Sequence, residues 1–276
     1  MSTITTEKLS DSVGARVDGV DRHRLLNDDA FPAWCLEALE DNGALVFPEL
    51  HLDDETQIEW SRKLGTVEKL GKGEHPEIFR VTLDPSKNSA ARYLRGTFDW
   101  HIDGCTEDVP IMATMLSAHA VAEQGGETEF ASSYAAYDHL DDDEKAYVET
   151  LRVVHTIEAS QRLHNPNPTD EEVAMWRRRP PKVHPLVWTH RSGRKSLVIG
   201  ATASHIEGMD EDEGRKVLAD LLARATTADK VYRHTWSLGD VVIWDNRGVL
   251  HRACPYDPAS ARDMHRTTFA GDEPIQ

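Results

Sequence analysis

The stretch that decides the fold is residues 111–132, IMATMLSAHAVAEQGGETEFAS. Its first half, residues 111–121, is a nearly continuous apolar run and predicts a long strand. Gly125 and Gly126 then mark a turn, after which residues 125–132 return to a strand pattern. The pair therefore predicts a core that is built of strands.

Shorter strand patterns lie on both sides of this stretch, at residues 14–21, 44–50, 77–83, 151–159, 182–190, 195–200, 231–236, 240–246 and 262–271. Helical patterns lie near residues 32–40, 53–63, 132–140, 141–151 and 210–225. Many strands at short intervals, with helices mainly early or inserted, favour a β-sandwich or barrel that carries helices. We interpret residues 1–276 as a single domain. Residues 160–181, which are rich in proline, asparagine and charge, are longer than most connections and are predicted to form a lid or insert.

The composition limits the function classes. A net charge of −17 and a pI near 5.2 argue against a nucleic-acid-binding protein and, more weakly, against binding to an anionic membrane. They do not exclude a small anionic substrate, because a local arginine pocket can override the global charge. Three distant cysteines favour a reducing compartment, and neither a secretory leader pattern nor a membrane-length apolar run is present in the sequence. We expect a cytoplasmic protein.

The pattern His-x-Asp occurs three times, with its histidine at position 51, 101 or 139. In the first copy Asp53 is placed to cap a helix, and the third copy lies in a run of aspartates between two helical patterns. Only His101 and Asp103, in FDWHIDGC (98–105), are approached by a strand-like, aromatic segment. Because side chains two apart in an extended chain face the same side, these two can converge on one metal ion. The alternative is a histidine that simply pairs with a neighbouring carboxylate.

A third metal ligand is available in VVIWDNRGVLH (241–251), where a turn after an apolar strand delivers His251. Two histidines and one carboxylate on one face match the facial triad of non-haem Fe(II) oxygenases, which leaves positions open for cosubstrate and dioxygen. A closed structural zinc site would instead prefer four ligands, often cysteines.

Arg262 and Arg266 follow on the last strand pattern, four residues apart and therefore on one face. Two inward arginines are costly unless anions meet them, so one could hold 2-oxoglutarate and the other an acidic substrate. The alternative is a pair of surface arginines on an edge strand.

Two other classes of protein stay open on these residues. One is a zinc or manganese hydrolase, for which Glu127 or Glu129 would be the nearest general base in sequence. The other is a cupin-like protein that binds an organic acid without turnover. The hydrolase class gives no reason for two inward arginines on the last strand.

In combination, WHIDG (100–104), GGETEF (125–130), WDNRGVLH (244–251) and RDMHRTTFAGDEP (262–274) resemble the TauD/TfdA family of Fe(II)/2-oxoglutarate-dependent dioxygenases. The resemblance implies a double-stranded β-helix, a distorted jelly roll with helices outside. It implies Fe(II) at His101, Asp103 and His251, with 2-oxoglutarate and dioxygen as cosubstrates. It also implies that Thr128 and Arg262 hold the 2-oxoglutarate carboxylate, and that members form homo-oligomers, dimers or tetramers.

For the substrate, the resemblance assigns Arg266 to an anionic group. Thr97 stands where the taurine enzyme of the family has asparagine, and Tyr93 and Arg95 precede it. These departures, together with GGETEF, favour the chlorophenoxyacetate branch. We therefore expect hydroxylation of a small organic acid, a carboxylate such as an aryloxyalkanoate rather than a sulfonate. Hydroxylation next to a heteroatom would cleave a C–O or C–S bond.

Overall fold

The computed structural model describes residues 3–276, so the first two residues of the predicted domain lie outside the described range. The fifteen strands of the described chain are β1 (Thr5–Lys8), β2 (Ala15–Asp18), β3 (Ala44–Phe47), β4 (Phe79–Val81), β5 (Ala113–Ala120), β6 (Thr128–Ser132), β7 (Arg152–His155), β8 (Lys182–Pro185), β9 (Val187–Thr189), β10 (Lys195–Leu197), β11 (Ala203–Ile206), β12 (Val231–His234), β13 (Val241–Asp245), β14 (Val249–Ala253) and β15 (Asp263–Phe269). The α-helices are α1 (Arg22–Asn27), α2 (Phe31–Asn42), α3 (Asp54–Leu64), α4 (Ser133–Asp138), α5 (Asp142–Val148), α6 (Ile157–Arg162), α7 (Asp170–Trp176) and α8 (Glu211–Ala225).

A seven-stranded major sheet runs in the order β1-β2-β3-β13-β5-β15-β4. Adjacent strands in this sheet are antiparallel, except that β2 and β3 pair in parallel. The apolar run singled out in the sequence is its central strand β5, which pairs with β13 on one side and β15 on the other. Both faces of β5 are covered, which explains why the run is apolar rather than alternating.

A three-stranded minor sheet, β12-β6-β14, faces the major sheet. Phe130 and Val249 of the minor sheet pack against Leu116, Val242 and Met264 of the major sheet in one buried cluster. Two facing antiparallel sheets with helices outside form a distorted jelly roll, which confirms the predicted fold class.

Helices cover the outer face of the major sheet. Phe31 of α2 and Trp60 of α3 pack against Phe47, Met115 and other side chains of that face. The α3 helix begins where the sequence predicted, because the Asp53 carboxylate accepts a hydrogen bond from the Thr56 amide at 2.8 Å. Asp141 caps α5 in the same way, so both are confirmed as capping residues.

Residues 91–98, for which the sequence predicts no element, form a 3₁₀ helix that leads to His101. One sequence prediction of local structure is wrong. Residues 157–159, predicted to continue a strand, begin α6, because Thr156 caps a new helix at the Ala159 amide. The predicted loop 160–181 consequently contains the end of α6 and all of α7. Within residues 3–276, no helix is both long and apolar enough to cross a bilayer.

Candidate metal centre

His101 and Asp103 lie on a short extended segment that is tied to β14. The backbone amides and carbonyls of His101 and His251 exchange two hydrogen bonds of 3.0 Å each. Trp100 and Ile102 point into the apolar core, so the residues between them and after them face the opposite side. This alternation confirms the sequence argument that His101 and Asp103 converge.

Gly104 ends this segment with a positive φ of 88°. A Cβ atom at this position would lie 2.7 Å from the backbone nitrogen of Ile111. The chain can therefore turn sharply from the cluster into β5 only with glycine here.

The side chains of His101, Asp103 and His251 form one cluster, in which the candidate ligand atoms lie within 4.8 Å of one another. His101 Nε2 is 3.7 Å and His251 Nε2 is 3.9 Å from the Asp103 carboxylate. His101 Nδ1 lies 2.8 Å from the carbonyl oxygen of Asp99, which can only accept a hydrogen bond. Nδ1 therefore carries the proton, and the lone pair of Nε2 faces the cluster, as a metal ligand requires.

The electrostatics of the cluster suit a cation. Burial and the nearby His101 hold the pKa of His251 well below its ordinary value, so its imidazole is neutral. Burial alone would raise the pKa of Asp103, but chiefly the Arg266 guanidinium keeps it below the ordinary value. The Asp103 carboxylate and the neutral His251 imidazole are thus available as ligands, and Nε2 of His101 lies beside them.

A narrow cavity adjoins the cluster and brings together most of the predicted site residues. Its lining includes Thr97, His101, Thr128, Trp244, His251, Tyr256, Arg262 and Arg266. Arg262, just before β15, and Arg266, within it, are therefore inward-facing and not surface residues of an edge strand.

Arg262 is almost fully buried, and its Nη1 has no hydrogen-bond partner within residues 3–276. Its Nε donates to the Gly126 carbonyl at 3.2 Å, and its guanidinium lies 4.8 Å from the centre of the Tyr256 ring. Burial lowers the pKa of Arg262, while Tyr256 opposes that shift. A buried cation without a carboxylate partner is costly, so this side chain is suited to an anionic ligand.

The Thr128 hydroxyl is oriented so that it can donate a hydrogen bond to an anionic ligand in the same cavity. Trp236 Nε1 donates a hydrogen bond to Thr128 Oγ1 at 3.0 Å. This contact occupies the acceptor side of the hydroxyl and leaves its proton free for an anion in the cavity. Sequence reasoning missed Trp236 and Tyr256, because neither lies in the motifs that identified the other residues.

A larger cavity of about 780 Å³ opens on the other side of His101 and Asp103. Tyr93 and Thr97 line it, together with Gln161 of α6. Arg95 does not line this cavity; it is exposed and borders a neighbouring one. Three of the four predicted substrate residues (Tyr93, Thr97 and Arg266) thus lie next to the cluster or its cavities.

The arginine run 177–179 divides between two environments. Arg177 forms an ion pair of 2.6 Å with Glu158, away from both cavities. Arg179 lines the large cavity and pairs with Glu107 at 2.6 Å. Of Arg177 and Arg179, only Arg179 therefore lies where it could contact a molecule in the large cavity.

The two glutamates considered as hydrolase bases lie outside both cavities. Glu129 is paired with Arg233 and Arg252 at 2.5 and 2.6 Å. Burial alone would raise its pKa, but these two arginines hold it below the ordinary value. An ionised carboxylate that is neutralised in this way is a poor proton acceptor.

The sequence model described as "Taurine catabolism dioxygenase TauD, TfdA family" matches residues 5–268. The chain is 39% identical over 250 residues to an alpha-ketoglutarate-dependent 2,4-dichlorophenoxyacetate dioxygenase of Cupriavidus pinatubonensis, with 85% of this chain and 86% of that protein covered. It is 37% identical over 255 residues to an (S)-phenoxypropionate/alpha-ketoglutarate-dioxygenase of Sphingobium herbicidovorans, with 88% and 86% covered.

Among solved structures, the crystal structure of AAD-2 in complex with Mn(II) and N-oxalylglycine is similar to this one. The two share 35% sequence identity and a TM-score of 0.85, over 99% of this chain and 100% of that one. Relatives of this similarity over nearly the full length, together with the match of the family model, show that the chain belongs to the TauD/TfdA family of dioxygenases.

Proposed function

We propose that this protein is an Fe(II)- and 2-oxoglutarate-dependent dioxygenase that hydroxylates a small aryloxyalkanoate. One observation carries the proposal: the cluster of two histidines and one aspartate shares a cavity with Arg262, a buried guanidinium that has an unpaired Nη1 within residues 3–276. A group of metal-ligating side chains beside an unpaired guanidinium suits a ligand that chelates the metal at one end and carries a carboxylate at the other.

His101, Asp103 and His251 would hold the metal, and their donor set matches the facial triad typical of non-haem Fe(II). When bound, iron supplies the redox chemistry in which dioxygen and 2-oxoglutarate give succinate and carbon dioxide and one oxygen atom enters a substrate C–H bond. The crystal structure of AAD-2 is of a complex with Mn(II), which supports a divalent metal ion in this chain.

The far carboxylate of 2-oxoglutarate would bind to Arg262 and Thr128. The guanidinium provides charge and donors, and the Thr128 hydroxyl, oriented by Trp236, provides one more donor. Because Arg262 is buried, water does not screen this attraction, and the ligand is oriented as well as bound.

Arg266 has a double role in this proposal. Its Nη1 lies 3.5 Å from the Asp103 carboxylate, and its Nε has no partner within the described chain. The contact helps to keep Asp103 ionised and in place as a ligand. The free Nε can meet an anionic group of the substrate near the cluster, with Thr97 as a neighbouring polar contact.

The aryloxy part of the substrate would occupy the 780 Å³ cavity. Tyr93, Ile111 and Ile157 give its wall aromatic and apolar surface, and Gln161 adds a polar group. The two relatives described above are named for aryloxy acids, which supports a carboxylate over a sulfonate. Hydroxylation of the carbon next to the ether oxygen gives a hemiacetal, whose C–O bond breaks to release a phenol and a carbonyl acid.

The test is substrate-dependent release of succinate by the purified protein with Fe(II), 2-oxoglutarate and air. The panel contains 2,4-dichlorophenoxyacetate, both phenoxypropionate enantiomers, taurine and an alkyl sulfate. We expect succinate and phenol release with an aryloxy acid, loss of both in His101→Ala, and no loss in the matched control His139→Ala, which alters an exposed histidine. Turnover with taurine or the sulfate alone would contradict the substrate class. If the protein bound 2-oxoglutarate but released no succinate with any compound of the panel, the proposal that it is an enzyme would be contradicted.

A further inference from the structure

A second group of metal-ligating side chains lies on the far side of the major sheet. Asp54, His119 and His265 offer ligand atoms that lie within 4.8 Å of one another, the same limit that the cluster in the jelly roll meets. His265 precedes Arg266 on β15, so the two side chains point to opposite faces of the sheet. This group, the outer cluster, is therefore separate from the inner cluster of His101, Asp103 and His251. It lies beneath the first turn of α3.

An irregularity in the sheet brings the two histidines together. The register of β15 against β5 shifts between the pairs Met264–Ala118 and Asp263–Ala120, which leaves His119 as an extra residue on β5. The His119 and His265 rings then stack with their centres 3.7 Å apart and their planes 17° apart. Such bulges re-aim side chains and are common beside functional sites.

The hydrogen bonds of His119 fix which nitrogen holds its proton. Ser117 Oγ lies 3.2 Å from His119 Nε2 and donates its own proton to Gln57 Oε1 at 2.6 Å. The hydroxyl must therefore accept from Nε2, which leaves a lone pair on Nδ1. That nitrogen makes no hydrogen bond to any residue of the described chain, since the bond to Ser117 uses Nε2.

His265 is oriented from its other side. Its Nδ1 lies 2.5 Å from Asp54 Oδ1, and its Nε2 lies 3.9 Å from Asp263. Asp263 is itself held by Arg80 and Lys87. Asp54 therefore lies on the Nδ1 side of the ring, where the two can share a metal ion, and Asp263 lies near the Nε2 side.

An ion pair between His265 and Asp54 explains two of these three residues but not the third. His119 stacks on the pair and contributes a free lone pair instead of a proton. A divalent ion would use that lone pair, replace the proton between His265 and Asp54, and join all three side chains.

We propose that Asp54, His119 and His265 form a second metal site, which binds a divalent transition-metal ion such as Zn(II) and ties α3 to β5 and β15. Two imidazoles and one carboxylate select Zn(II) or its neighbours over Mg(II) and Ca(II), which prefer oxygen ligands. The proposal is independent of the reaction at the inner cluster.

The test counts Zn(II) equivalents bound by the chelator-treated full-length protein, with a chromophoric indicator as competitor. We expect two equivalents for the parent protein, one for His101→Ala, one for His119→Ala and none for the double variant. The single equivalent retained by each single variant also shows that the variant is folded.

Asp54→Asn and Glu55→Gln make a matched pair, because both remove one acidic charge from the first turn of α3 and only Asp54 belongs to the cluster. We expect Asp54→Asn to weaken the second equivalent at least tenfold and Glu55→Gln to leave it unchanged. The proposal would be overturned if the parent protein bound one equivalent of Zn(II) and His119→Ala still bound it. It would also be overturned if the parent protein, His119→Ala and Asp54→Asn each bound two equivalents. If only the inner site failed, the parent would bind one equivalent that His119→Ala abolishes.

Discussion

Arg262 is the residue whose environment is most informative, because the fold buries its charge and leaves Nη1 without a partner in residues 3–276. We predict that Arg262→Gln raises the KM for 2-oxoglutarate roughly 10- to 100-fold, since a hydrogen bond to a charged group contributes about 1.5–3 kcal/mol. Removal of a buried, unpaired cation should not lower the melting temperature of the protein without 2-oxoglutarate.

The measurement is the rate of succinate release against 2-oxoglutarate concentration, together with a thermal melt. Arg178→Gln, at an exposed position within the arginine run 177–179, is the control and should change neither quantity. An Arg262→Gln protein with the parental KM would show that 2-oxoglutarate binds elsewhere.

Trp236 supports a second prediction at the same scale. Trp236→Phe keeps an aromatic ring but removes the donor to Thr128 Oγ1, so the threonine hydroxyl loses its fixed orientation. We expect the affinity for 2-oxoglutarate to fall about 2- to 10-fold, in line with one neutral hydrogen bond of about 0.5–1.5 kcal/mol. Thr128→Val should lose as much or more, and the double variant should be no worse than Thr128→Val, because both changes remove one interaction. Strictly additive losses would contradict this coupling.

At the residue scale, the inner cluster was predictable because it lies in two short motifs with strong local meaning. His101 and Asp103 need only the alternation of an extended chain, and His251 needs only the strand and turn before it. Trp236 was not predictable, because its role depends on the pairing of β12 with β6, which brings residues from distant parts of the sequence side by side.

At the element scale, the turn before β6 packs against Arg262, which we propose binds 2-oxoglutarate. Gly126 has a φ of 76°, and a Cβ there would lie 2.9 Å from Arg262 Nε. Gly193 has a similar φ of 84° but open space around its Cα. We predict that Gly126→Ala and Gly193→Ala each destabilise the fold by about 1–2 kcal/mol through backbone strain. Only Gly126→Ala should also raise the KM for 2-oxoglutarate.

Chemical denaturation and succinate kinetics on both alanine variants test this pair. Equal KM values in the two variants would show that the turn contributes strain but does not position Arg262.

The elements that the sequence predicted best are those with one dominant local signal. The apolar run of β5 and the caps of α3 and α5 are examples. The 3₁₀ helix at residues 91–98 was not predicted, because its mixed aromatic and polar residues have no clear period and the helix is stabilised by its surroundings. Tyr93 of this helix contacts Met175 of α7 at 3.2 Å, a partner 82 residues away.

At the scale of the whole molecule, the jelly roll separates two clusters of the same composition. One lies between the sheets, and the other, Asp54 with His119 and His265, lies between the major sheet and α3. The outer cluster could not be predicted from the sequence. Its members come from three elements, and the position of His119 depends on a bulge in the strand register. The inner cluster had two members two residues apart, which is why the sequence alone could identify it.

The stability of the whole molecule should depend on pH through its buried histidines. His155 is fully buried, and burial, with a smaller contribution from His184, lowers its pKa to about 3. The unfolded chain protonates this residue near pH 6.5, whereas the folded chain does not until the pH is far lower. Below pH 6.5 the unfolded state therefore binds more protons, and the free energy of unfolding falls as the pH falls.

We predict a loss from His155 of about 2 kcal/mol between pH 6.5 and pH 5, because a fully developed difference of one proton changes stability by about 1.4 kcal/mol per pH unit. His155→Gln removes this titration, so its unfolding free energy should fall less steeply with acid than that of the parent protein, whatever its stability at pH 7. His139→Gln alters an exposed histidine and should leave the parental slope unchanged. Urea denaturation of the three proteins at half-unit steps from pH 7 to pH 5 measures the slopes. Parallel curves for His155→Gln and the parent would mean that His155 is protonated in the folded state, and that this part of the core admits a charge.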